Sequence, residues 1–248
     1  MTQYIFELIG TLALVLLGDG VCAAVTLNKS KAQGAGWVVI TLAWGFAVMV
    51  GVLIAGPVSG AHLNPAVTLG LALAGTFAWN LVPGYIIAQM IGGFLGAAIL
   101  IFLYGDHIAA TDDDATIRGC FCTGPSIRNM FLNFCSEFVA TFVLVFTLAS
   151  IPANSVTVGD NVYAIASNAN WVLVYGVIVA CGASFGGLTG YAMNAARDSA
   201  PRFAYQVLAP NKGHKDADWG YGWIPAVAPI CGGAVASFVY MALQSMGG

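Results

Sequence analysis

Charged side chains are nearly missing from this sequence. Lys and Arg total 8 and Asp and Glu total 11 in 248 residues, 8% of the chain, where a soluble domain carries about 25%. A soluble protein of this length needs a polar skin, and there is too little polar material here to make one. Histidine is also sparse. The three present, His62, His107 and His214, are not clustered with carboxylates, so they supply neither a nucleophile–base set nor a metal-ligand set. No enzymatic activity, cofactor or metal is expected. The net charge of -3 leaves no basic patch, which argues against nucleic acid as a partner. No charged segment followed by a small-residue cleavage site opens the sequence, so the first apolar stretch is expected to stay in place. The six cysteines have no metal-binding spacing: Cys120 and Cys122 share a loop, while Cys22, Cys135, Cys181 and Cys231 fall in apolar stretches. They read as small hydrophobes or free thiols.

What fills the chain instead is apolar residues, at 59%, and 31 glycines. Glycine weakens soluble helices but lets membrane helices approach closely. A spanning helix needs about 20 mainly apolar residues. Six stretches qualify: residues 4–27, 37–56, 81–104, 130–151, 162–186 and 222–245. Two further apolar stretches are interrupted, 57–76 by Pro57, Gly60, Pro65 and Gly75, and 187–205 by Gly187, Gly190 and Pro201. Each has room for about ten helical residues, roughly 15 Å or half a membrane. Irregular backbone at that depth is tolerated where it lines a water-filled cavity.

The two interrupted stretches correspond. Asn64 and Asn194 are 130 residues apart, as are Glu7 and Glu137, Thr11 and Thr141, and Gly60 and Gly190; Gly92-Gly93 and Gly232-Gly233 are 140 apart. The chain is two related halves, each with three spans and one half-helix. Three is odd, so the second half enters the membrane from the opposite side and the half-helices dip from opposite faces. Interrupted segments at matching places in two halves point to a transport site.

The stretches Ser59-Gly60-Ala61-His62-Leu63-Asn64-Pro65-Ala66-Val67-Thr68 and Leu188-Thr189-Gly190-Tyr191-Ala192-Met193-Asn194-Ala195-Ala196-Arg197-Asp198 closely resemble the two signature loops of the major intrinsic proteins, the aquaporin and aquaglyceroporin family. Asp198, Arg202 and Pro225-Ala226 resemble the glycerol facilitators within it, since water-selective members usually carry serine, alanine and two aromatics there. The resemblance covers the whole chain. It implies an all-α membrane protein, an aquaporin-like inverted repeat of six transmembrane helices plus two re-entrant half-helices. The expected organisation is a single channel domain, with a first repeat over about 1–105, a connecting loop over about 105–129 and a second repeat over about 130–248.

Asn64 and Asn194 precede the half-helices at N-cap positions, where the side-chain oxygen accepts backbone N–H bonds. Their amide groups would then act as central pore donors. Each half-helix N-terminus carries roughly half a positive charge, which disfavours cations and a continuous proton wire. Arg197, a permanent charge at membrane depth, is functional by default. The resemblance places it with Trp44, Gly182 and Tyr191 in a selectivity filter, where Trp44 and Tyr191 supply an apolar corner, Arg197 supplies donors and Gly182 leaves room for a three-carbon molecule. The carbonyls of Gly60, Ala61, His62 and Leu63, and of Gly190, Tyr191, Ala192 and Met193, are expected to face the pore. Their N–H groups must then be satisfied elsewhere, with Glu7 and Glu137 as acceptors and, by the resemblance, Asp198 in a further structural role. Asp19 reads as a partner for a loop lysine or a cap for adjacent chain, and His62 as a packed histidine or a gate.

Two features depart from the family pattern. Ala195 stands where proline is usual, which restores an N–H at the first helical position. Lys29, Lys31, Arg118, Arg128, Lys212 and Lys215 would all lie in external loops if the termini are cytoplasmic, against the positive-inside rule. The implied function is passive conduction of glycerol and related small neutral solutes, with water following and ions and protons excluded. The implied setting is the plasma membrane, as a lipid-embedded homotetramer. A channel chiefly for undissociated lactic acid, urea or dihydroxyacetone is the alternative, encouraged by the Tyr191 hydroxyl, as is a mainly water-conducting pore.

Overall fold

The computed structural model describes residues 1–151, 155–158, 161–164, 166–210 and 216–247. Its helices are α1 (Thr2–Thr26), α2 (Trp37–Ser59), α3 (Pro65–Leu73), α4 (Val82–Leu103), α5 (Gly105–Ala109), α6 (Asp114–Arg118), α7 (Met130–Ser150), α8 (Ala166–Thr189), α9 (Ala195–Leu208) and α10 (Trp219–Gly247). A 3-10 turn, Trp79–Leu81, leads into α4. Six stretches of 19 to 28 residues among the described residues are long and apolar enough to cross a membrane: those of α1, α2, α4 with its leading turn, α7, α8 and α10. Their polarity is arranged inside out. Val38, Phe102 and Phe131 are at least 71% exposed on the outside, while Glu7, Thr11, Asp19, Gln89, Glu137 and Thr141 are fully buried within. Lipid would solvate such an exterior; water would not.

The fifth span differs from the sequence expectation. Residues 161–164 form a strand, Asn161–Ala164, paired antiparallel with Ser155–Val158, and α8 begins after it at Ala166. The run Val162-Tyr163-Ala164 is apolar but β-compatible, and composition alone does not separate it from the helix that follows. The helical fold is otherwise as expected, with this small hairpin added. Lys212, His214 and Lys215 lie outside the described residues.

Glycine rather than proline ends the helices that feed the two half-helices. Pro57 and Gly187, both expected as interruptions, sit inside α2 and α8. Helix α2 stops at Gly60, left-handed at φ 84°, whose N–H returns to Gly56 O at 3.2 Å. Helix α8 stops at Gly190, φ +85°, whose N–H returns to Gly186 O at 2.8 Å. A left-handed glycine is the usual helix stop. Both half-helices then start at an asparagine cap. Asn64 Oδ1 accepts from Ala66 N at 2.9 Å, and Asn194 Oδ1 accepts from Ala196 N at 2.9 Å and Arg197 N at 3.3 Å. Ala195 thus opens α9 much as Pro65 opens α3. Helix α9 is longer than expected, 14 residues against 9 for α3, because Pro201 falls beyond its first turn without breaking it.

The paired glycines explain how the halves interlock. A Cβ on Gly92 of α4 would lie 2.3 Å from Leu8 O of α1, and one on Gly232 of α10 would lie 2.2 Å from Phe138 O of α7. A Cβ on Gly93 would meet Ala196 O at 2.1 Å, and one on Gly233 would meet Ala66 O at 3.0 Å. The last long helix of each half therefore packs on its own first helix and on the half-helix of the other half. Only glycine permits backbone approach this close.

Candidate functional site: a pore between two re-entrant loops

The loops before the half-helices are built to one plan. Positive φ recurs at Gly60, Ala61 and Leu63 in the first, and at Gly190, Tyr191 and Met193 in the second. Left-handed backbone at alanine, leucine, tyrosine and methionine is unfavourable by about 1–3 kcal/mol each, so something must hold it. Two buried carboxylates do. Glu7 accepts from His62 N at 2.9 Å, Leu63 N at 2.8 Å, Ser59 Oγ at 2.7 Å and Gln89 Nε2 at 2.7 Å. Glu137 accepts from Ala192 N at 3.0 Å, Met193 N at 2.9 Å and Thr189 Oγ1 at 2.7 Å. With the N–H groups turned to the carboxylates, the loops Gly60 to Asn64 and Tyr191 to Asn194 line a cavity of about 250 Å³.

The loops meet through their asparagines. Asn64 Nδ2 donates to Met193 O at 2.8 Å, and Asn194 Nδ2 donates to Leu63 O at 2.8 Å. The carbonyls of Leu63 and Met193, expected as acceptors for a passing molecule, therefore each take one of these cross-bonds. An amide nitrogen carries two hydrogens, so each asparagine keeps one donor beyond the cross-bond. The crossing also brings the positive ends of α3 and α9 together.

A second cavity, about 310 Å³, lies towards the face of the 105–129 loop, lined by Arg118, Cys120, Thr123 and Ser126 among others. The two cavities share three lining residues: Trp44, Tyr191 and Arg197. These three form the partition. The Arg197 guanidinium lies over the Trp44 ring, 3.8 Å from its centroid, and makes no direct hydrogen bond among the described residues, which leaves its N–H edge for a ligand. The partition thus combines aromatic surface with N–H donors.

Two expectations about this partition need correction. Gly182 does not open directly onto the lumen. A Cβ there would meet Tyr191 Cζ at 2.7 Å and Thr41 Cγ2 at 2.8 Å, so the missing side chain makes room for the tyrosine ring. The Tyr191 hydroxyl is buried on the side of Thr41. It is turned into the protein, and its ring is what lines the cavities. Asp19 pairs with neither a lysine nor a cap. Its Oδ1 stands 3.7 Å from Arg197 Nη1.

Asp198 is at the centre of a buried network beside the second cavity. Its Oδ2 accepts from Thr123 N and Thr123 Oγ1, both at 2.7 Å, and its Oδ1 from Arg202 Nε and Nη2, both at 3.0 Å. Arg202 also donates to the carbonyls of Thr123 at 2.7 Å and Ala217 at 2.6 Å. The network ties the 119–126 loop and the segment before α10 to the half-helix. His62 is packed against Phe77 and Tyr85, with ring centroids 4.5 and 4.9 Å away, and its Nδ1 is 3.2 Å from Thr68 Oγ1.

Sequence reasoning missed Trp37 and Cys22. Trp37 Nε1 donates to Gly182 O at 3.1 Å and its ring meets Tyr191 edge-on at 6.0 Å. Its seven-residue spacing from Trp44, two turns of one helix face, was the available signal. Cys22 Sγ accepts from Trp44 Nε1 at 3.3 Å, and no local signal pointed there.

Residues 1–240 match the major intrinsic protein family. This chain belongs to that family. Glycerol uptake facilitator protein 3 of Lactiplantibacillus plantarum is 49% identical over 243 residues, covering 97% of this chain and 96% of the relative. The probable glycerol uptake facilitator protein of Thermotoga maritima is 44% identical over 240 residues, covering 97% and 98%. Among solved structures, the aquaglyceroporin from Plasmodium falciparum superposes with a TM-score of 0.76 at 28% identity, covering 96% of this chain and 94% of that one. The six apolar helices and the family make this major intrinsic protein a multi-pass membrane protein.

Proposed function

We propose that this major intrinsic protein is a passive channel for glycerol and related small neutral solutes, with water following the same path. The observation that carries the reading is the partition between the two cavities. Trp44 and Tyr191 offer aromatic surface to a C–H backbone, and Arg197, stacked on Trp44, offers N–H donors to hydroxyl oxygens. The asparagine donors at the loop crossing take up the oxygens next. The names of the relatives, glycerol uptake facilitators, agree with this chemistry.

The remaining features of the reading follow the same physics. Two helix N-termini and Arg197 make the mid-channel positive, so cations and protons are excluded. The chain performs no chemical step. It sits in the plasma membrane with cytoplasmic termini, surrounded by lipid as a homotetramer with one pore per subunit. Trp44, Gly182, Tyr191 and Arg197 form the filter, with Gly182 acting through the placement of Tyr191. The eight loop residues from Gly60 to Leu63 and Gly190 to Met193 supply the acceptor track, and Glu7, Glu137 and Asp198 hold the loops in shape.

Stopped-flow light scattering on vesicles of the purified protein tests the solute. Glycerol is expected to re-equilibrate at least about tenfold faster than in empty vesicles, the effect of about 1.4 kcal/mol on the barrier. Urea and undissociated lactic acid are expected to trail glycerol, because the Tyr191 hydroxyl is not presented to them. Lactic acid or urea outpacing glycerol would move the assignment to that solute, and water flux alone would make the protein a water channel.

A further inference from the structure

We propose that Asp19 is a positioning residue for solute selection: it holds the Arg197 guanidinium against Trp44 and so keeps the passage at the partition wide enough for a three-carbon solute. The inference rests on the channel function proposed above and assigns a role that the pore-lining residues do not cover.

Arg197 is in an unfavourable place for a cation. It lies in the first turn of α9, where the helix dipole is positive, and the N-terminus of α3 faces it across the loop crossing. A compensating anion is needed nearby, and α1 supplies it. Asp19 is fully buried and lines neither cavity. Both its oxygens lack hydrogen-bond partners among the described residues, so its ion-pair partner there is the guanidinium at 3.7 Å. The permanently charged guanidinium is too costly to leave uncompensated at this depth, and among the described residues the Asp19 carboxyl is the acid within 4 Å of it.

The same turn of α1 seats the rest of the stack. Gly18 lies flat beneath Trp44, where a Cβ would come within 2.2 Å of the indole Cζ3. Cys22 accepts the indole N–H at 3.3 Å. Gly18, Asp19 and Cys22 thus fix the ring and the charge above it as one unit. Pulled towards α1, the guanidinium lies along the wall of the passage with an N–H edge turned to the solute. Without the carboxylate, the side chain is free to swing across the lumen, and its uncompensated charge binds water tightly there. Glycerol, being wider than water, feels both effects more.

Asp19→Asn keeps the volume and removes the charge. In vesicles, glycerol permeability is expected to fall about fivefold or more, the effect of roughly 1 kcal/mol on the barrier, and water permeability to fall less. In an Arg197→Val background, adding Asp19→Asn is expected to leave the glycerol-to-water ratio unchanged, since Asp19 acts through the arginine. An unchanged ratio in the single variant overturns the proposal. So does an equal loss of both solutes, or an effect that persists in the Arg197→Val background, since either marks a packing role. If Asp19→Asn does not yield folded protein, the double variant must, because it removes both buried charges; a double variant that also fails overturns the pairing. The parent protein reports separately on the channel reading. Vesicles of it that pass water but not glycerol sink the glycerol assignment, and the Asp19 role is then read from the urea-to-water ratio.

Discussion

Replacing Asp198 by asparagine is expected to lower the stability of the folded channel by about 3–5 kcal/mol, the cost of breaking a buried ion pair from one side. Arg202 is fully buried and cannot shed its charge. Its carbonyl partners at Thr123 and Ala217 satisfy N–H groups but do not neutralise it. The asparagine amide also has only one oxygen, where the carboxylate serves Thr123 with one oxygen and Arg202 with the other. The 119–126 loop would loosen, and with it the wall of the second cavity. Thermal unfolding in detergent checks this, with Arg128→Gln as the control. The pair between Arg128 and Asp218 is at the surface, the arginine side chain 53% exposed, and removing it is expected to change stability by about 0–1 kcal/mol. Equal midpoints for Asp198→Asn and the parent protein would contradict the network described here.

Enlarging Gly182 is expected to slow glycerol passage without unfolding the channel. The residue is inside α8, where alanine is a better helix former than glycine by about 0.8–1.0 kcal/mol. The obstacle is Tyr191, whose Cζ lies 2.7 Å from the site of the new Cβ. Thr41 is at 2.8 Å on another side and Trp37 packs against the tyrosine ring, so the ring is pressed towards the lumen it shares with Trp44 and Arg197. Gly182→Ala is expected to slow glycerol severalfold, and Gly182→Leu at least about tenfold, about 1.4 kcal/mol on the barrier. Water, the smaller solute, should be slowed less in both. Unaltered glycerol flux through Gly182→Leu would mean that Tyr191 does not form the partition.

Much of the architecture was legible in the sequence because the two halves repeat it. Glu7 and Glu137, Gly60 and Gly190, and Asn64 and Asn194 do matching work at matching places, and a fixed offset makes such pairs visible without knowing the fold. Gly92 and Gly232 were legible in the same way, although the backbone atoms they admit were not. The hairpin before α8 was hidden because a short apolar run suits strand and helix alike. The helix stops were misassigned in part, since Pro57 and Gly187 have the same residue types as true interruptions and differ only in backbone angle.

The partition was harder to read, because its details depend on contacts between distant segments. Asp19 and Arg197 are 178 positions apart, and no periodicity links them. Gly182 was singled out by resemblance, but sequence does not tell whether the space beside a glycine holds solute or a neighbouring ring, and here it holds the Tyr191 ring. For Tyr191, residue type announced a hydroxyl in the filter, while the fold turned that hydroxyl inward and left the ring facing the cavities.

The central claim is that a glycerol-sized neutral molecule crosses the partition between Trp44, Tyr191 and Arg197 without a carrier cycle. The initial rate of labelled glycerol entry into vesicles of the purified protein, measured over a wide concentration range, tests it most directly. A channel predicts entry well above that of empty vesicles, rising in proportion to glycerol and falling sharply in Gly182→Leu. Entry no faster than in empty vesicles, or entry that saturates at low concentration and ignores the Gly182 substitution, would contradict the account.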